Sequence, residues 1–315
     1  MKTFNIKFYQ NRKIFIGISV GLILIGLICN FIFGTQLDIQ FKGGAVIRYS
    51  YTGEIDQEDV QKIVQDTTGK NVSVTIGKSM SEEEGNSVSL SFAGEESLSV
   101  ESQQAVADAL AAQYPDASFE VIESSSIDPT MGGEFFLKCM ASIVIAAILL
   151  IIYIAFRFQK IGGMSAGVMA IVTLTHDVIM VYFTFVVCRI PLNDSFIAVV
   201  LTILGYSLNG TIIIYDRVRE NRRIMGPKAD VADVVDTSIN QTLTRSVYTA
   251  LCTFLAVAVV YVVGAVYDLS TVTTFALPMM VGIVCGCYSS TCIAGPLYVM
   301  WQKYKKASRA AKAQK

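Results

Sequence analysis

One ionisable pair stands inside an otherwise apolar stretch of the sequence. His176, the single histidine of the chain, directly precedes Asp177. Ionisable residues within membrane-spanning stretches are energetically costly, and they commonly pair with one another or mark proton and ion pathways. Two interpretations remain open at this point: the pair belongs to a proton relay, or it is a locally satisfied structural site.

Arg245 is the second candidate for chemistry, because it stands just before the apolar stretch Val247–Val266. A fixed positive charge there would favour the ionised form of a facing carboxylate. Alternatively, the arginine simply extends its head group to the membrane surface. Polar residues recur at helical spacing in the neighbouring stretches and could line an ion path, contact a partner or pack helices together: Thr173, Thr184, Thr202, Tyr206, Asn209, Thr242, Ser246, Thr249 and Thr253.

These candidates must be positioned by membrane helices. The chain has 315 residues, of which 53% are hydrophobic and 16% charged, and a bilayer core needs about 20 helical residues to cross it. Six stretches of suitable length predict six transmembrane helices: Ile14–Phe33, Cys139–Phe156, Ile161–Val187, Phe196–Tyr215, Val247–Val266 and Val272–Val299. Gly282, Gly286 and Ser290 give the last of these a small-residue face suited to close helix packing.

The distribution of basic residues predicts the orientation. Eighteen of the 25 lysines and arginines lie in residues 1–13, 157–160, 216–245 and 301–315. Cytoplasmic segments carry such an excess, so we expect both termini to be cytoplasmic and the segment after the first helix to be extracytoplasmic. The first stretch lacks a signal-peptide cleavage pattern and is interpreted as a retained anchor.

Residues 35–135 predict an acidic aqueous head, because they hold eighteen acidic and five basic residues. Alternating patterns predict a βαββαβ order and hence a ferredoxin-like α/β domain. The predicted strands are Ala45–Tyr51, Val72–Ile76, Val88–Phe92 and Ser118–Ile122, the predicted helices are Asp56–Thr67, with Asp56 as N-cap, and Ser97–Gln113, and Ser81–Asn86 is the predicted turn between the middle strands.

The head carries no visible chemistry of its own. It has neither histidine nor cysteine, which excludes a disulfide framework in the head and a histidine- or cysteine-ligated metal site there. Its acidity argues against nucleic-acid binding. We therefore expect no metal, no cofactor and no catalytic residue, and a binding or spacer role for the head.

Several motifs together resemble the SecF branch of the SecD/SecF family of protein-export subunits, within the resistance-nodulation-division superfamily. Asp38 through Gly43-Gly44 resembles the family's entry motif after the first helix, and the motifs run in family order over most of the chain. The later ones are His176-Asp177-Val178, Gly205-Tyr206-Ser207-Leu208-Asn209, Asp216-Arg217-Val218-Arg219-Glu220-Asn221, Ser238 through Ser246, and Gly286-Cys287-Tyr288-Ser289-Ser290.

The resemblance implies a transport subunit rather than an enzyme. Such subunits pair with SecD, join the SecYEG translocon, often with YajC, and draw unfolded preproteins outward across the cell membrane with the proton motive force. Residues 1–34 are then expected to be the cytoplasmic N-terminus and first helix, residues 35–135 the head, residues 136–300 helices two to six, and residues 301–315 a basic cytoplasmic tail. Membrane lipid is a further expected partner.

One position departs from the family pattern. The family commonly has an aspartate of the proton relay directly after the motif Asn209, whereas this chain has Gly210; its relay arginine matches Arg245. The missing carboxylate would have to come from SecD, and the coupling ion is left open. Two other functions remain: a stand-alone small-molecule exporter of the superfamily, against which stands the presence of only six helices and one head, and a passive scaffold for SecD.

Overall fold

In the computed structural model, apolar helices long enough to span a membrane carry one small α/β head. The structure describes residues 6–313 except 54, 71, 78–85, 94–99, 116, 128, 159–162, 227 and 268. Within these residues six helical segments are long and apolar enough to cross a bilayer, which confirms the number predicted from the sequence.

The head follows the predicted order of elements. Strands β1 (Gly44–Tyr51), β2 (Ser73–Gly77), β3 (Asn86–Ala93) and β4 (Glu120–Ile127) alternate with helices α3 (Gln57–Thr68) and α4 (Val100–Gln113), after helix α1 (Arg12–Phe33) and the short helix α2 (Ile39–Lys42). The strands form one antiparallel sheet in the order β2-β3-β1-β4. Alternate apolar residues of β1 and β3 are buried against Val60, Val64, Val106 and Leu110 of the two helices.

Asp56 caps α3 as predicted, because its carboxylate accepts hydrogen bonds from the backbone amides of Glu58 (2.8 Å) and Asp59 (3.3 Å).

The prediction for the last strand was wrong in its bounds: β4 begins at Glu120 and continues to Ile127. Its continuation was missed because Glu123 and the following serines break the apolar alternation, although they pair with Ala45 to Arg48 of β1. The predicted turn Ser81–Asn86 lies outside the described residues except for Asn86. The first three residues of the predicted second head helix, Ser97, Leu98 and Ser99, also lie outside them.

The membrane helices continue after the head. They are α5 (Pro129–Arg157), α6 (Gly163–Val187), α7 (Asp194–Met225), α8 (Val231–Val266), α9 (Ser270–Tyr288), a π-helical segment (Ser289–Ala294) and α10 (Gly295–Ala313). The last three follow one another without a break and form one continuous helix. Several extend well beyond the predicted apolar stretches. Arg245 therefore does not stand at the start of its helix, as the sequence suggested, because α8 begins at Val231.

Helices α6, α7 and α9 form the centre of the bundle. The apolar parts of α6 and α7 are about half buried, whereas those of α1, α5 and α8 are mostly exposed. The predicted small-residue face of α9 is confirmed: a Cβ at Gly282 would lie 2.6 Å from the Ile203 side chain, and one at Gly286 would lie 3.2 Å from Cβ of Ser207. These glycines let α9 approach α7 closely.

Candidate functional site

Asp177 is the centre of the buried polar cluster of the bundle. Its side chain has no exposed surface. The hydroxyls of Ser207 and Ser289 donate to Oδ2 over 2.5 and 2.7 Å, and Nδ1 of His176 lies 3.0 Å from Oδ1. Both carboxylate oxygens are thus occupied, which is the requirement for keeping a carboxylate inside a membrane domain.

Three helical elements bring these groups together. His176 and Asp177 lie midway along α6, Ser207 faces them from α7, and Ser289 is the first residue of the π-helical segment. π-Helical turns are rare and are frequently found at functional sites. Here the segment begins at Ser289, whose hydroxyl bonds Asp177, and the next residue, Ser290, lies against Gly210 of α7.

Gly210 marks a small cavity one turn of α7 away from Ser207. A Cβ at position 210 would lie 3.0 Å from Oγ of Ser290, so a larger side chain needs Ser290 to move. The cavity measures about 20 Å³, and among its lining residues are Asn209, Ser246 and Ser290. A water molecule needs roughly 10–15 Å³. Oγ of Ser246 is buried and has no hydrogen-bond partner within the described residues, so the cavity offers a polar place for one water.

A much larger basin of about 1060 Å³ lies between residues 213–224 of α7 and residues 241–245 of α8. Ile213 lines both the basin and the small cavity, and Arg245 and Thr242 line the basin beside Ser246. Five arginines and two acidic residues surround it, giving a net positive lining: Arg217, Arg219, Arg222, Arg223 and Arg245, with Asp216 and Glu220.

Arg245 and Arg223 are exposed cations of that basin. The guanidinium of Arg245 makes no hydrogen bond or ion pair within the described residues. The family-motif residues Asp216 and Arg217 both form ion pairs. Asp216 pairs with Arg157 (3.1 Å) and Arg219 (3.0 Å), and Arg217 bonds Gln241 (2.6 Å) and Glu220 (2.5 Å). These contacts tie α5, α7 and α8 together, which is a structural use of the motif.

The entry motif forms the junction between membrane and head. The carbonyl of Asp38 accepts bonds from the amides of Phe41 and Lys42, and its own amide donates to the carbonyl of Leu192 over 3.0 Å. Gly43 and Gly44 adopt φ angles of 76° and 135°, which disfavour residues with a Cβ. A Cβ on Gly132 of α5 would lie 2.8 Å from the Gly43 amide nitrogen, so the chain turns there in close contact with α5.

The structure therefore separates the predicted site residues. His176 and Asp177 lie in the buried cluster, Asn209 lies exposed beside the Gly210 cavity, and Arg245 lies at the basin. Ser207 and Ser289 were not predicted as site residues; their places within the family motifs were the signal that pointed to them. Within the described residues no cluster of three or more His, Cys, Asp or Glu side chains could hold a metal ion.

Comparison with known proteins agrees with this architecture. Residues 106–304 match the profile of the family described as "Protein export membrane protein SecD/SecF, C-terminal". The chain is 32% identical to the protein translocase subunit SecF of Sebaldella termitidis, over 98% of this chain and 96% of that protein. The chain belongs to the SecD/SecF family.

Other SecD/SecF relatives are longer than this chain. It is 30% identical to the protein translocase subunit SecDF of Bacillus subtilis, covering 94% of this chain and 38% of that protein. The crystal structure of SecDF from Thermus thermophilus superposes with a TM-score of 0.80 and 26% identity, over 95% of this chain and 39% of that one. This SecD/SecF chain therefore corresponds to about two fifths of those SecDF proteins.

Proposed function

We propose that this chain is the SecF-type subunit of a protein-export complex and acts with a separate SecD-type subunit. The observation that carries the proposal is the pair of lengths: the chain aligns along nearly all of a SecF relative but along only 38–40% of SecDF proteins. The remainder of a SecDF protein would be supplied by the partner. Its role is accordingly transport of unfolded preproteins rather than catalysis.

An exposed polar face on α7 and α8 supports the need for such a partner. Asn209 of α7 and Thr249 of α8 are exposed within these two helices, whereas Arg245 lines the basin and the Thr202 hydroxyl donates to the carbonyl of Ala198. Polar groups facing lipid are unfavourable because hydrocarbon offers no hydrogen bonds. A SecD-type helix pair placed here would cover this face, as in a pseudo-symmetric twelve-helix unit. The same face argues against a stand-alone small-molecule exporter.

The second part of the proposal is that protons move through this subunit and drive export. Asp177 is the buried carboxylate that can bind and release a proton, with His176 beside it. The route runs from the basin at Arg245, past Ile213, into the cavity at Gly210 and on to Ser289 and Asp177. In place of the aspartate common at position 210, a water in that cavity would bridge the gap.

Orientation and surroundings complete the proposal. Both termini are cytoplasmic and the head is extracytoplasmic, on the side where emerging preprotein is received from the SecYEG translocon, with YajC as a further partner. The βαββαβ order and the β2-β3-β1-β4 sheet support a ferredoxin-like head. The unit boundaries remain those predicted, with residues 1–34, 35–135, 136–300 and 301–315 as anchor, head, bundle and tail.

The experiment uses the chain together with the SecD-type protein of the same organism. We expect the two to purify as one complex in mild detergent and to stimulate export of a preprotein into membrane vesicles. Arg245→Met should keep the complex but lose the stimulation by a proton gradient, whereas Arg245→Lys should keep part of it because the charge remains.

Arg223→Met is the matched control, because it removes a cation from the same basin without touching the α8 face. Recovery of a stable, active chain without any SecD-type protein would contradict the partnership. Full gradient stimulation in Arg245→Met would support the passive scaffold instead.

A further inference from the structure

His176, the partner of Asp177, also lines a groove that the proposed proton route does not use. The groove lies between α1, α6 and the segment from the π helix into α10, and it measures about 450 Å³. None of its lining residues lines the basin or the Gly210 cavity. It is therefore a separate site, on another face of the bundle.

The floor of the groove carries an unsatisfied polar atom. His176 is 9% exposed, and its Nε2 has no hydrogen-bond partner within the described residues. Leaving such an atom unpaired in a buried place costs about 1–3 kcal/mol. The buried hydroxyl residue Ser19 of α1 lines the same groove. A ligand that bonds Nε2 would remove this cost.

The rest of the lining is aliphatic and faces the bilayer. Eight of the eleven residues are Ile, Val or Leu: Ile16, Val20, Ile23, Ile171, Val172, Ile179, Ile293 and Leu297. Val20 and Val172 are half exposed on the outer surface of their helices. Water alone does not fit such a space, because each bound water needs two to four polar partners. The volume lies within the range of small-molecule sites, about 300–1,000 Å³.

The hydrogen-bonding pattern selects the polar group of the ligand. When Nδ1–H of His176 donates to the Asp177 carboxylate, Nε2 keeps a lone pair and needs a donor. Apart from His176 itself, no ionisable side chain lines the groove within the described residues, so a charged head group would be left without a counter-charge in the apolar region. An uncharged hydroxyl satisfies both conditions.

We propose that this groove binds an uncharged membrane amphiphile that consists of an aliphatic chain with a hydroxyl group, with the hydroxyl donating to Nε2 of His176. The chain of the ligand lies along α1 and α6 against the aliphatic walls. Because Ile293 belongs to the π-helical segment, the bound ligand contacts the same segment that holds Ser289 on Asp177.

The test is photo-crosslinking of the chain in membranes of cells that produce it, with a long-chain alcohol that carries a diazirine in its chain. Matched probes end in a methyl ether, which accepts but does not donate, and in a carboxylate. We expect the alcohol to label peptides of α1 and α6 on the order of fivefold more than the ether, the factor of about one neutral hydrogen bond. His176→Phe should abolish that preference.

A second variant keeps the test decisive if His176→Phe does not fold. Val172→Trp fills the groove from the lipid side and leaves His176 and Asp177 in place, and it should lose labelling by the alcohol. Ile152→Trp, on the exposed surface of α5, should keep it. Equal labelling by alcohol and ether, stronger labelling by the carboxylate, or labelling that survives Val172→Trp would each overturn the proposal. None of these outcomes depends on export activity, so the proposed function stands or falls separately.

Discussion

Ser289 donates a 2.7 Å hydrogen bond to Asp177 although the two residues are 112 positions apart. The donor is the first residue of a π-helical segment, whose wider turns shift the following residues relative to an α helix. The backbone amide of Ser289 still donates to the carbonyl of Cys285, so α9 holds this residue in helical position. The bond therefore joins the last membrane helix to Asp177 of α6.

Removing that donor tests the bond. In Ser289→Ala, Oδ2 of Asp177 keeps only Ser207 as a donor, and a hydrogen bond to a charged group contributes about 1.5–3 kcal/mol. We expect a lower thermal midpoint of the purified complex and reduced gradient-driven export. Ser142→Ala, which removes an exposed hydroxyl bonded to the Lys138 carbonyl on α5, is the control. Equal behaviour of the two variants would show that the Ser289 bond is dispensable.

The close approach of Gly210 and Ser290 gives a second prediction. Gly210→Ala places a Cβ about 3.0 Å from Oγ of Ser290, and such overpacking typically costs about 1–3 kcal/mol. The variant should melt earlier and lose gradient-driven export, because the cavity narrows. Adding Ser290→Gly should restore the melting temperature.

Gly205→Ala is the control, because Gly205 lies on the same helix as Gly210 but a Cβ at position 205 would meet no other atom within 4 Å. It should be neutral or slightly stabilising, because alanine is the better helix former. If Gly210→Ala proved as benign as Gly205→Ala, Ser290 would have to yield easily and the tight cavity would lose its significance.

Accessibility of single cysteines tests the orientation. In a background without the native cysteines, Ser126→Cys on the exposed part of β4 should react in intact cells with a thiol reagent that does not cross membranes. Ile224→Cys at the end of α7, where the native side chain is 70% exposed, should react only after the membrane is opened. Asn221, although nearby, is buried against Ser238 and Gln241 and is unsuitable. The reverse labelling pattern would invert the proposed topology.

The sequence predicted the elements of this protein better than their contacts. All six membrane helices could be predicted, because each apolar stretch is about as long as a bilayer crossing requires. The start of α3 could be predicted from Asp56, a typical N-cap residue. The β4 strand could not be bounded, because its Glu123 and serines pair with β1 without an apolar alternation. The extension of α7 and α8 beyond the apolar stretches was missed because their polar ends are held by contacts such as Arg157 with Asp216.

The centre of the site needed the structure. Asp177 was a candidate from its position alone, but its bonds to Ser207 and Ser289 depend on how three helices pack. No periodicity in the sequence predicts the π-helical segment that begins at Ser289, or the contact of Ser289 with Asp177. Arg245 looked like a residue at a helix start, whereas it lies fifteen residues into α8 at the edge of the basin.

The most direct test of the account is the rate of preprotein export by Asp177→Asn, measured with and without a proton gradient at matched protein levels. Asparagine keeps the shape and the acceptor for Ser207 and Ser289 but cannot cycle a proton. Asp230→Asn is the control, because it makes the same change in an exposed carboxylate paired with Lys303. We predict that Asp177→Asn assembles with its SecD-type partner yet exports at one rate whether or not the gradient is present, while Asp230→Asn responds like the parent. An Asp177→Asn complex that the gradient stimulates as strongly as the parent would contradict the proposed proton route.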